Sequence, residues 1–360
     1  MEKLVENLSL NESETKGKRK LASVQLIASL SEIKKVNKFD MAKVLGWNAL
    51  VKKNEFKVGD KVVFFEIDSL LPWTAGWAQD FKRSEYKVTT FKISGQISQG
   101  IVLPLKKIFG EKVNEDAYPV GMDLTEQLGI KKYENDADEV SPGVKSTVNY
   151  STLKYPEHLI EKSDELRLQS KLDFLDKFKG KKFYSSLKYD GTSSTYVIDP
   201  KDKTFYICSR NTVQDPNSKR NWYVEMNKKY KIYDKLLKHE CRYAIQGEVY
   251  GPKIQKNNLQ SDEVKIAIFC IKDIINNKYL GMQEMIDVCK ELDLPMVEII
   301  EKGDSFDYTL EQLLEKSKGK YPGTEQNREG IVYRLQENWN TVEGGRMSFK
   351  VINDDYLLTK

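Results

Sequence analysis

A set of charged residues falls beside glycines or inside otherwise apolar, β-favouring stretches of this 360-residue chain. Lys188 and Asp190 lie in Ser185-Ser-Leu-Lys-Tyr-Asp-Gly-Thr-Ser193, Arg210 in Ser209-Arg-Asn211, and Glu248 in Gly247-Glu-Val-Tyr-Gly251. Glu329 opens Glu329-Gly-Ile-Val332, and Lys350 sits in Ser348-Phe-Lys-Val-Ile352. An ionised side chain in such surroundings is costly unless it is paired or binds something charged. A lysine held at a strand end can serve as a nucleophile once its amine is neutral. That requires burial or neighbouring cations to lower its free pKa of about 10.4. Asp190 falls on the same face if the strand continues, within reach of a divalent metal or a nucleotide sugar. Taken alone, Lys-x-Asp-Gly is more often a plain turn. Taken together, a lysine, two further cations (Arg210, Lys350) and three carboxylates (Asp190, Glu248, Glu329) suit a nucleoside triphosphate with a divalent cation. The cations neutralise phosphate and the carboxylates hold the metal or its waters.

These residues need strands to carry them. The pattern predicts strand, tight turn, strand around Lys188, with Gly191 supplying backbone freedom. Leu168, Leu172, Leu175 and Phe178 recur at helical spacing ahead of it. Strands are expected over 204–209, 243–251 (broken at Gly247), 264–271, 328–334 and 346–352. Helices are expected over 221–238, 281–292 and 310–318. Mixed strands and helices of this kind make an α+β domain. Nearer the N-terminus, short strands over 21–30, 43–51, 61–67, 89–93 and 100–104 alternate with turn residues. They predict a small antiparallel β-barrel of OB-fold type, with an SH3-like barrel as the alternative. The polar stretch 1–17 reads as a disordered head, 18–133 as the barrel domain, the acidic, turn-rich 134–150 as a linker, and 151–360 as the second domain.

Composition narrows the class. The 58 basic residues nearly cancel 54 acidic ones, so nucleic-acid binding is allowed but not demanded. Cys208, Cys241, Cys270 and Cys289 lack Cys-x-x-Cys spacing and read as reduced core thiols, pointing to a reducing, intracellular compartment such as the cytoplasm. Two histidines in the whole chain argue against a zinc site or a Ser-His-Asp hydrolase. No run of about 18 apolar residues is present, so no membrane partner is expected.

The order of these motifs resembles the covalent nucleotidyltransferases, the superfamily of ATP-dependent ligases and mRNA capping enzymes. Lys188-Tyr-Asp-Gly191 resembles their nucleotidyl-lysine motif and Ser209-Arg-Asn211 the arginine motif. Gly247-Glu-Val-Tyr-Gly251 resembles the glutamate motif, and Ile266-Ala-Ile-Phe269 the segment whose aromatic residue stacks on the base. Glu329-Gly-Ile-Val332 and Ser348-Phe-Lys350 resemble the last two. Closer still is the RNA ligase type found in Naegleria and Deinococcus, which places an OB-fold domain before the catalytic one. Val51 to Asp60, Phe65-Glu-Ile-Asp68 and Gly95 to Leu105 resemble that domain, and Lys162-Ser-Asp-Glu-Leu-Arg167 the element ahead of the nucleophile.

The resemblance implies an N-terminal OB-fold barrel followed by a mixed α/β nucleotidyltransferase (ATP-grasp-like ligase adenylation) domain. It implies an ATP-dependent RNA ligase joining 3′-hydroxyl and 5′-phosphate ends through lysyl-AMP on Lys188 and an RNA-adenylate. Arg167, Asp190, Gly191, Arg210, Glu248, Phe269, Glu329 and Lys350 would then bind ATP and its phosphates. Phe269 is favoured over Ile266 as the stacking residue. Asp190, Glu248 and Glu329 would hold Mg²⁺ or Mn²⁺, largely through water. The partner is RNA, clamped by the barrel through Lys52, Lys53 and Trp47, and the enzyme is a monomer. A DNA ligase, a guanylyltransferase and a catalytically silent OB-fold binding protein are the alternatives. The last motif of relatives commonly holds two lysines one residue apart, whereas Ser348 and Ile352 flank Lys350 here.

Overall fold

The computed structural model describes residues 19–133, 153–337 and 346–359. The expected head 1–17 and linker 134–150 lie outside the described residues. Two compact units result, one holding 19–133 with Leu168–Leu172, the other holding 153–167 and 173–359.

In the first unit, β1 (Ala22–Leu26), β5 (Lys61–Phe65) and β9 (Ile101–Pro104) form one antiparallel sheet in the order β1-β5-β9. A second sheet runs β2 (Ser29–Ile33), β3 (Val36–Val44), β4 (Trp47–Lys52). Two-stranded ribbons β7 (Thr90–Ile93) with β8 (Gln96–Gln99), and β6 (Ser69–Leu70) with β10 (Lys131–Lys132), complete it. The short helix α1 (Leu105–Phe109) follows β9 directly. The Leu50 N–H donates to Ser98 Oγ at 2.9 Å, tying the second sheet to the β7–β8 ribbon. Phe64, Phe65, Val62 and Val63 are all sealed from solvent, which explains why 61–65 reads so strongly as a strand.

The single strand expected over 21–30 breaks at Ile27 and Ala28 into β1 and β2. The strand expected over 43–51 is a hairpin, with Val44 paired to Trp47 across Leu45-Gly46. Leu45 takes a left-handed φ of 53°, as a two-residue hairpin turn requires, and its apolar side chain hid that turn. Trp47, expected to meet RNA, is wholly buried, because the inward positions of β4 are Trp47, Ala49 and Val51. The exposed aromatic side chains of this unit are Trp73 and Phe91.

The second unit holds two five-stranded sheets. The first has the order β11 (Leu166–Arg167), β20 (Ser348–Ile352), β19 (Gly330–Leu335), β12 (Phe183–Lys188), β18 (Ile299–Gly303). The second has the order β14 (Phe205–Cys208), β13 (Thr192–Ile198), β15 (Tyr243–Tyr250), β16 (Lys265–Asp273), β17 (Lys278–Tyr279). Helices α3 (Trp222–Tyr230), α4 (Ile232–Lys238) and α5 (Met282–Glu291) share one apolar core with the second sheet. The single helix expected over 221–238 breaks at Lys231, which adopts a left-handed φ of 51°. The helix expected from Leu168 starts only at Asp173, as α2 (Asp173–Phe178). Leu168–Leu172 belongs to the first unit, so that apolar period spans two cores. Helix α6 (Leu310–Ser317) opens with a capping box in which Thr309 and Gln312 exchange hydrogen bonds. Helix α7 (Asp354–Thr359) follows β20.

An aromatic plug holds the first sheet. The Phe306 ring lies 5.3–6.2 Å from those of Phe178, Phe183, Tyr308, Tyr333 and Phe349, and is 1% exposed. Its N–H donates to the Lys181 carbonyl, and its own carbonyl accepts from Gly180 N–H. Phe306→Ala should therefore cost about 3–5 kcal/mol, read as a lowered denaturant midpoint of the second unit's transition.

Candidate active site

Lys188 is the last residue of β12, in the first sheet, and Thr192 is the first of β13, in the second. The turn expected around it is thus a passage from one sheet to the other rather than a hairpin. Lys188 stands opposite Gly330 in the β12–β19 ladder, and Lys188 Nζ donates to Glu329 Oε2 at 2.8 Å. Glu248 reaches the same region from β15, where it pairs with Ser193 of β13. Gly191 makes this close approach possible. A Cβ there would lie 2.3 Å from the Val249 carbonyl oxygen and 3.0 Å from Glu248 Cγ. Space, not an unusual backbone angle, is what glycine provides at this position.

The charged residues are not all inside strands. Glu329 precedes β19, Asp190 lies beyond β12, and Arg210 follows β14 by two residues. Only Glu248 and Lys350 interrupt strands, because strand ends reach solvent and ligand without breaking a buried ladder.

The electrostatics correct one expectation. Burial pushes Lys188 toward its neutral form, but the charges of Glu329 and then Glu248 outweigh it, and the net shift is upward. In this state the lysine is an ion-paired ammonium, since carboxylates rather than cations surround it. Burial raises the Glu248 carboxyl to about 8; Lys188 opposes that rise, while Glu329 and Asp190 add to it. No protein hydrogen bond to its carboxylate is found among the described residues. Burial, followed by the Glu329 charge, likewise raises Asp190. Asp190 is already engaged: Oδ2 accepts from Asn258 Nδ2 at 2.6 Å and Oδ1 from Tyr356 Oη at 2.9 Å.

The cations form a second cluster. Arg167 and Lys350 are register partners in the parallel β11–β20 pair. Lys350 Nζ donates to Asp164 Oδ1 at 3.1 Å, and Arg210 Nη2 donates to Asp164 Oδ2. One carboxylate thus bridges cations from the two sheets. Phe269 is the unpaired residue of a bulge in β16, two positions beyond Ala267, which pairs with Glu248; it is half-buried and its ring lies 6.0 Å from the Arg334 guanidinium. Ile266 points into the core.

Several residues at this site were not picked out from the sequence. Tyr356 and Asn258 lie in stretches with no period or glycine to mark them, and Gly319 and Gly323 near Tyr321 adjoin no charge in a strand-like run. Arg334 is 1% exposed, donates to Glu165 Oε1 at 2.9 Å and to Ser186 Oγ at 3.0 Å, and lies 6.0 Å from the Phe269 ring. Its signal was the arginine closing an otherwise apolar strand.

Among the described residues no three His, Cys, Asp or Glu side chains form a direct metal cage. Glu248 is the donor best fitted to a hard cation and its waters, being poorly solvated and unpartnered by protein.

Residues 21–105 match a family model for an OB-fold domain, and residues 181–352 match the RNA ligase family model. The whole fold is similar to solved structures of Naegleria gruberi RNA ligase. One, a glutamate-to-alanine variant with AMP and Mn, is 28% identical with a TM-score of 0.82, covering 95% of this chain and 99% of that one. A structure with pyrophosphate gives the same identity, coverage and TM-score. A lysine-to-alanine variant with ATP and Mn is 28% identical with a TM-score of 0.81, over 95% and 99% of the two chains. No curated protein sequence matches significantly.

The two glutamates should behave differently when made neutral. The Glu248 pKa is higher folded than unfolded, so its contribution to stability is full below about 4.5 and is lost as pH rises through about 8. Glu248→Gln should remove that loss and melt above wild type near pH 8 in metal-free buffer. Glu329→Gln should melt lower, by about 1.5–3 kcal/mol, because a charged hydrogen bond to Lys188 goes. Melting curves from pH 5 to 9 check both; a lower melting point for Glu248→Gln at pH 8 would contradict the first.

Proposed function

The chain is an ATP-dependent RNA ligase of the Naegleria type, an OB-fold domain ahead of a nucleotidyltransferase domain, and we propose that Lys188 is its nucleophile. The observation that carries this assignment is the Lys188–Glu329 ion pair at the junction of two sheets, with Glu248 and Asp190 beside it.

Lys188 Nζ attacks the α-phosphorus of ATP; a nitrogen–phosphorus bond forms, the bond to the bridging oxygen breaks, and pyrophosphate leaves. The amine must first lose its proton, and Glu329, 2.8 Å away, is placed to receive it. AMP then passes to the 5′-phosphate of RNA, and a 3′-hydroxyl attacks that end and expels AMP. Arg210 and Lys350 would exchange their shared partner Asp164 for phosphate oxygens, with Arg167 beside Lys350 adding positive charge. Phe269 would pack against the base, with Gly191 leaving room beside it. Glu248 and Glu329, with Asp190 through water, would hold Mg²⁺ or Mn²⁺. When bound, the cation supplies positive charge at the reacting phosphates.

Domain limits of 18–133 and 151–360, with 134–150 as linker, are part of this reading, as is a monomer. Trp73 and Phe91 replace Trp47 as aromatic candidates for stacking on RNA, beside exposed Lys52 and Lys53. All four cysteines are free and buried, which supports a reducing, intracellular compartment, and no described helix is long and apolar enough to cross a membrane.

Incubation with α-labelled ATP and denaturing electrophoresis tests the assignment. Wild type should carry one AMP and Lys188→Ala none, with labelled GTP giving no adduct; labelling that persists in Lys188→Ala would end it. A chain starting near residue 151 should still form lysyl-AMP but seal 5′-phosphate RNA at least about tenfold more slowly, about 1.4 kcal/mol in the barrier. Equal sealing would show that the OB domain does not hold the RNA.

A further inference from the structure

The β12–β19 ladder ends at the Lys188–Gly330 pair, directly beside the ion pair formed by the Lys188 and Glu329 side chains. Beyond that pair there is no further rung to stop the strand end from fraying. The Tyr321 hydroxyl lies in that place. It donates to the Lys188 carbonyl at 2.8 Å and accepts from the Glu329 N–H at 3.1 Å. A single oxygen atom thus ties the main chain of the nucleophile to that of its carboxylate partner.

Tyr321 is itself firmly held. Its ring is 2% exposed, and its N–H donates to the Gln326 carbonyl at 3.0 Å. The Arg328 side chain donates to the carbonyls of Lys316, Ser317 and Lys318 at the end of α6, and Arg328 N–H donates to the Gly319 carbonyl. Asn353 closes the other side, donating from Nδ2 to the Arg328 carbonyl and from its N–H to the Glu329 carbonyl. Burial, and then the nearby Glu329 charge, push the Tyr321 phenol well above its ordinary pKa. The hydroxyl stays protonated and keeps its donor.

We propose that Tyr321 is a positioning residue for lysine adenylylation, its hydroxyl acting as the last rung of the β12–β19 ladder and fixing Lys188 against Glu329 and the α-phosphate. The proposal rests on the ligase reading above. Tyr321 is buried and its hydroxyl bonds the main chain of Lys188 and Glu329, so its loss should fall on the step in which Lys188 attacks. Sealing of RNA that already carries AMP on its 5′ end does not use the amine as nucleophile. Small displacements of a reacting group are expensive: about 1 Å costs on the order of a hundredfold in rate.

Full-length wild type, Tyr321→Phe and Tyr196→Phe supply the test. Tyr196 donates its hydroxyl to the Tyr223 carbonyl at 2.9 Å inside the core, so Tyr196→Phe controls for loss of a buried hydrogen bond. Maximal adenylylation by Tyr321→Phe should fall on the order of a hundredfold, with half-saturating ATP little changed. Sealing of pre-adenylylated RNA should fall at least about tenfold less, and Tyr196→Phe should lower both steps equally or not at all. Equal losses in both steps for Tyr321→Phe, or no loss, would overturn the proposal. Amide exchange in wild type gives a second check that needs no variant: Glu329 N–H should be protected, and exchange at the free rate would also overturn it. Absence of lysyl-AMP in wild type would instead remove the ligase reading.

Discussion

The organising interaction is the charge balance around Lys188. An ammonium sits at the point where the chain leaves one sheet for the other, and Glu329, Glu248 and Asp190 converge on it. Lys188 cannot neutralise more than one of these carboxylates, so Glu248 is left poorly compensated and Asp190 leans on Tyr356 and Asn258. Much of the local architecture serves this crowding. Gly191 removes the Cβ that would collide with β15, and Gly330, at a φ of 154°, does the same against the Val351 carbonyl. The carboxylates here thus outnumber the single ammonium they share.

Asp164 shows the same principle with the opposite sign. Arg210 and Lys350 come from different sheets, and without an anion between them they would repel. Asp164 fills that role in the free protein. The absence of a second lysine in β20 has a structural counterpart as well. Ser348 donates to Glu165, and Ile352 is 2% exposed in the core. Arg334, the cross-strand partner of Ser348, brings positive charge to this row but shares it with Glu165. Arg334 and Arg346 hold Glu165 below the ordinary glutamate range against the cost of burial.

Strand β16 was legible as a nearly unbroken apolar run, and β12, β15 and β19, buried along most of their length, as β-favouring stretches interrupted by polar residues or glycine. Glycines beside charges marked Asp190, Glu248 and Glu329. What the sequence concealed follows from where partners lie. Tyr321 and Tyr356 donate their hydroxyls to groups more than a hundred positions away, and no local pattern encodes such a partner. Strand β3 was missed because its first half is polar and its inward residues begin only at Met41. The direction of the Lys188 shift was misjudged for a related reason: proximity of three carboxylates is a fact of packing, not of spacing.

The sequence separations across the site have a bearing on how the enzyme is made. Lys188 and Glu329 are 141 positions apart, Arg334 and Glu165 are 169 apart, and Lys350 and Asp164 are 186 apart. Closing such long loops is slow relative to forming local hairpins and helices. During synthesis Lys188 emerges long before Glu329, which pairs with it, and Asp164 long before Lys350. A nascent chain can therefore form its local hairpins and helices before these distant pairs close. The charge clusters of the site are complete only once β20 has docked beside β11 and β19.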